Sequence, residues 1–108
     1  MDLEQLPEAA PNARRFINHD TGHEWLVTLE FQDAPPGGSP GVIVKVEGEG
    51  VEAVVESTTF TDDRMTQEGF DPDVIVWEVA TRCLTIAEAR VAAREKLLAM
   101  QAGWSQEI

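Results

Sequence analysis

The stretch TIAEARVAAREKLLAMQAGW, Thr85 to Trp104, decides the fold, because it carries an unambiguous helical period. Thr85 and Glu88 form the S/T-x-x-E pattern of a capping box, in which hydroxyl and carboxylate satisfy backbone N–H groups that a helix start leaves unpaired. That pattern predicts a helix beginning at Thr85. Ile86, Ala89, Ala93, Leu97, Met100 and Trp104 follow at steps of three or four residues and so share one face, with Gly103 as a stop signal. A sheet is expected to receive that stripe.

Working back toward residue 1, DVIVWEVAT over Asp73–Thr81 reads as a strand, with Ile75, Trp77 and Val79 on one side. VIVKVEG and VEAVVESTTF, flanking the turn at Glu49 and Gly50, predict a hairpin in which Val42, Val44 and Val46 point inward. The parity of the second arm is contested between Val51, Ala53 and Val55 on one side and Val54 and Phe60 on the other, a conflict that a bulge would resolve. RRFINH and HEWLVTLEF, joined by DTG, predict another hairpin whose inward set is Trp25, Val27, Leu29 and Phe31. The Pro/Gly-rich DAPPGGSPG, Asp33–Gly41, can only connect strands. Residues 1–13, broken by Pro7 and Pro11, read as a flexible tail, leaving 14–108 as one domain. The expected class is α+β, a four- or five-stranded antiparallel sheet with a C-terminal amphipathic helix packed on one face.

Twenty acidic against eight basic residues give a net charge of −12, which repels phosphate backbones and disfavours direct nucleic-acid binding. Cys83 is the single cysteine, so an intrachain disulfide is excluded, and its apolar neighbours suit a small buried hydrophobe. There is no apolar run of membrane-spanning length and no signal-peptide pattern, so a cytoplasmic location without membrane insertion is expected. No phosphate-cradling glycine loop, nucleophile elbow or cysteine pair is present. The sequence therefore predicts no enzyme and no cofactor.

Three patterns remain as candidate sites. His19, His23 and Glu24, in NHDTGHE, are the right ligand types for a transition metal brought together across a turn, although a polar hairpin tip accounts for them equally. The acidic segment Thr61–Asp73 has oxygen ligands suited to calcium but lacks EF-hand spacing. Leu26 and Ile43, on the parity opposite the inward sets, with Arg90 and Arg94 on one helix face and Trp104 near the helix end, outline an interface for a protein partner or a second copy in a homodimer. The order of strands and a terminal helix resembles, in topology alone, double-stranded-RNA-binding and HicB-like antitoxin domains; Thr85–Glu88 departs from the basic helix start of the former, and no family follows. The expected role is a small acidic non-catalytic interaction or oligomeric module. Alternatives are an acidic nucleic-acid mimic that blocks a basic partner, and a metal-binding protein.

Overall fold

The computed structural model describes residues 1–7 and 10–106, with side chains through Trp104, so that Glu8, Ala9, Glu107 and Ile108 lie outside the described residues. Five antiparallel strands, β1 (Leu3–Leu6), β2 (Ala13–Asn18), β3 (His23–Gln32), β4 (Gly41–Gly48) and β5 (Val51–Thr59), lie side by side in chain order. A one-turn helix α1 (Asp62–Met65) and a long helix α2 (Pro72–Gln106) complete an α+β fold with α2 packed on one face of the sheet.

The strand count agrees with expectation, but two members differ. Leu3–Leu6, expected within a tail, pairs with Arg15–Asn18 as an edge strand. Asp73–Thr81, expected as the last strand, is instead the opening of α2. Asp71 starts that helix: its carboxylate accepts from the Asp73 backbone N–H at 3.0 Å, and its carbonyl accepts from Ile75 N–H at 3.3 Å. Pro72 occupies the first helical position, where its preset φ helps and its missing N–H costs nothing. Thr85 is therefore in mid-helix, donating its hydroxyl to the Thr81 carbonyl at 3.0 Å rather than capping anything.

The inward face of the sheet follows the alternation. Trp25, Val27, Val42, Val44, Val46 and Val54 are buried, whereas Phe31, on the same parity as Trp25, runs past the covered area and is exposed. Between the Val46–Val54 and Gly48–Val51 pairs β5 carries one residue more than β4, so the expected bulge lies on β5, and it leaves Val54 inward and Val55 outward. Glu49 and Gly50 both take positive φ in the β4–β5 turn, the conformation that matches the twist of a tight hairpin. Gly48 is required by close approach, since a Cβ there would stand 2.6 Å from the Glu24 carbonyl oxygen. The loop after β3 joins neighbouring strands as a long hairpin.

From α2 the core receives Val79, Ala80, Cys83, Leu84, Ala87 and Val91, each at most 4% exposed. These recur at helical spacing, and each large one contributes about 1.5–3 kcal/mol by leaving water. The stripe expected to meet the sheet is the other one. Ile86, Ala89, Ala93, Leu97, Met100 and Trp104 are all exposed, rotated away from Leu84 by more than a quarter turn. The sheet ends before the helix does. Arg94 is tied to the Glu49 carbonyl at 2.7 Å, and beyond it Glu95–Trp104 is exposed throughout. At about 1.5 Å per residue α2 is about 52 Å long, which accounts for the 62 Å longest dimension of the molecule.

Candidate functional site

The best-connected polar cluster joins the β2–β3 turn to α2. Glu88 projects from the helix toward His23 and Trp25, and its carboxylate accepts from the Trp25 indole Nε1 at 2.6 Å, from His23 Nδ1 at 2.9 Å and from the Thr21 hydroxyl at 3.3 Å. Its side chain is 13% exposed. Burial works against the charged carboxylate, but hydrogen bonds from Trp25, His23 and Asn18, with the His23 charge, outweigh it and hold Glu88 below the ordinary carboxylate range. Asn18, fully buried at the strand end, accepts from the Asp20 N–H and shapes the turn. Such a carboxylate is a structural clamp: it stays ionised, opposite to what a general acid needs at neutral pH. The capping-box pattern would place Glu88 at a helix start; the signal for its role here is an acid on the sheet-facing side of the helix.

The candidate metal ligands diverge. His23 is engaged with Glu88, whereas His19 Nε2 lies 2.6 Å from Glu4 Oε1 across to β1, and Glu24 is exposed beside the β4–β5 turn, where its N–H donates to the Glu49 carboxylate at 2.9 Å. Among the described residues no group of three or more His, Cys, Asp or Glu is placed to hold a metal ion. In the acidic segment Thr61–Asp73, Thr61 caps α1 by accepting from the Arg64 N–H, and Asp71 caps α2.

Arginines occupy the sheet's long edge. Arg90 donates to the Glu52 and Ala53 carbonyls at 2.8 and 3.0 Å, Arg94 to Glu49, and Arg64 to the Thr59 carbonyl at 3.2 Å, so guanidinium groups meet β5 and its flanks at several points. Arg82 pairs with Glu56 and holds that carboxyl below its usual value. Arg90 and Arg94, expected on an outward docking patch, are thus bound to this chain's own backbone, as a protected edge strand requires. Cys83 is buried, its S–H 3.6 Å from Glu56, and burial with the nearby Glu56 charge pushes the thiol up to about 11. A thiol so placed is a poor nucleophile.

The remaining candidates are surfaces. Leu26 and Ile43 lie half-buried on the sheet face away from α2, interrupted by Glu30, Lys45 and Glu47, so they form no continuous apolar patch. Trp25 is in the core, but Trp77 is 46% exposed against Phe16, with ring centroids 5.3 Å apart, and Trp104 is 68% exposed. On α2 the exposed side is continuous. Ile86, Leu97, Met100 and Trp104 are 41–68% exposed and fall along one stripe with Ala89 and Ala93 between them. Leu98, 56% exposed, carries the core-facing side of the helix past the end of the sheet.

No family model, no curated protein and no solved structure matches this chain. No helix among the described residues is long and apolar enough to cross a membrane.

Proposed function

We propose that the protein is a non-catalytic interaction module that docks another polypeptide on the exposed apolar stripe of α2. The observation that carries this reading is Ile86, Leu97, Met100 and Trp104, each 41% exposed or more, aligned on a helix whose other side already fills the core. A monomer rarely shows contiguous apolar area of several hundred Å² unless something covers it. The environments of the reactive groups support a non-catalytic role: Cys83 is buried with a raised pKa, while Glu56 and Glu88 are held ionised in structural pairs. A lone cysteine also suits a reducing compartment such as the cytoplasm.

A second reading rests on the net charge of −12, which would let the chain occupy the site of a basic, nucleic-acid-binding partner. Capture on immobilised wild-type chain, compared with Leu97→Asp/Met100→Asp at low and high salt, separates the two. Docking on the stripe predicts capture that survives salt and is lost in the double variant. Capture that collapses with salt and ignores the variant would overturn it in favour of the charge-driven reading.

A further inference from the structure

We infer that the occupant of the α2 stripe is a second copy of this chain, its helix running antiparallel so that Leu97, Met100 and Trp104 of each copy lie on Ile86, Arg90 and Ala93 of the other. This rests on the interaction reading above and names its partner. The stripe is self-complementary in that direction alone. When two helices cross antiparallel about a point near Glu95, Ile86 meets Trp104, Ala93 meets Leu97 and Arg90 meets Met100, so each of these three layers sets a smaller or bent side chain against a larger one. A parallel pair would instead stack Trp104 on Trp104 and leave a gap at Ala93 on Ala93. Arg90 causes no buried charge in this packing, because its guanidinium is tied to the Glu52 and Ala53 carbonyls and its aliphatic stem is what faces Met100.

The lengths agree as well. Residues 95–104 project past the sheet, and the antiparallel arrangement lays them on residues 86–95 of the partner, the stretch whose opposite side is backed by the partner's own sheet. Each unsupported helix end thereby gains a rigid bed, and the two helix dipoles oppose. The four large stripe residues present on the order of 500 Å² of apolar surface per copy, which with the intervening alanines and the stems of Arg90 and Lys96 approaches the ~800 Å² per partner of an ordinary stable interface. Edge-to-edge pairing of β5 is the competing route to a dimer, and the arginines along that edge oppose it.

Two measurements test this. Sedimentation of the full chain over a range of concentrations and salt should give a particle of twice 11.9 kDa that tightens, or holds, as salt screens the repulsion between two −12 charges; Leu97→Asp should weaken it on the order of thirtyfold or more with unchanged circular dichroism. Mixing Ile86→Cys chains with Trp104→Cys chains under mild oxidation should give the mixed disulfide, with neither variant cross-linking to itself, while buried Cys83 stays out of the reaction. A wild type that remains monomeric at all concentrations, or a dimer that yields 86–86 and 104–104 cross-links, overturns the pairing. A monomer that still captures a foreign protein through Leu97 and Met100 overturns the pairing but leaves the interaction reading in place; a monomer with no stripe-dependent capture overturns both.

Discussion

Residues 72–94 and 95–106 of α2 are helical for different reasons. The first part, PDVIVWEVATRC and onward, is rich in β-branched and aromatic residues that lose rotamer freedom in a helix, and it is held in that form by Val79, Ala80, Cys83, Leu84, Ala87 and Val91 against the sheet. The second part opens with EKLLAMQA, Glu95–Ala102, a run of strong helix formers that is exposed throughout. Tertiary packing overrides local preference in one, and local preference suffices in the other. A helix whose two halves depend on different forces should also fail in two different ways.

The largest contrast lies between two leucines. Leu84→Ala, at a site with no exposure, should cost about 2–5 kcal/mol of unfolding free energy, measured by urea denaturation. An unchanged midpoint there would mean that the sheet does not hold the first half.

Next is the clamp at Glu88. Glu88→Ala leaves the buried Trp25 indole N–H and His23 without their acceptor and should cost about 1–3 kcal/mol. The pH dependence has a definite sign. A carboxyl depressed in the folded state adds stability that is complete above its ordinary value of 4.5 and is lost as pH falls below that value through the lowered folded one. Glu88→Gln should therefore be less stable than wild type at neutral pH, and the gap should close on acidification; a gap that stays constant down to the acid limb would remove the charge from the account.

The same division of forces explains what could be read from the sequence. Thr85–Trp104 announces a helix because its residues prefer one regardless of context, and the strands of the two hairpins announce themselves by alternation that the structure repeats at Trp25, Val27, Val42, Val44 and Val46. VIVW misled because short runs of β-branched residues fit strand and helix equally. The Asp71–Pro72 start signal, which resolves the ambiguity, sits just before the run. The face of the helix was misread for a further reason: with two apolar stripes on one cylinder, Ile86–Leu97–Trp104 and Val79–Leu84–Val91, period alone cannot rank them, and the shorter stripe wins because only its length is spanned by the sheet. The clamp was illegible because Glu88, His23 and Trp25 are brought together only by docking of the helix on β3. Leu3–Leu6 was lost among prolines since an edge strand of four residues has almost no pattern of its own.

A smaller effect concerns reactivity rather than stability. With Cys83 buried and its thiol pushed up to about 11, alkylation at pH 8 should be slow in the native protein and fast in urea, followed by mass spectrometry. Rapid native labelling would show that the sheet-backed half opens readily, which would erode the contrast between the halves.

The smallest effect is expected where hydrophobic composition would suggest a large one. Leu97→Ala removes as many carbons as Leu84→Ala, yet Leu97 is 50% exposed and has no core around it, so in dilute monomer its cost should stay within about 0.5 kcal/mol of zero. Alanine even improves local helix preference slightly. The null result holds only while the stripe is uncovered: ligation of the folded form raises apparent stability by mass action, so a chain that pairs through Leu97 must show a denaturation midpoint that climbs with protein concentration in wild type and stays flat in Leu97→Ala. Equal and concentration-independent midpoints would assign the second half a purely local existence, a helix standing free because its residues favour it. A cost of several kcal/mol at high dilution would instead place Leu97 inside this molecule's own core, and the division of α2 at Arg94 would fall.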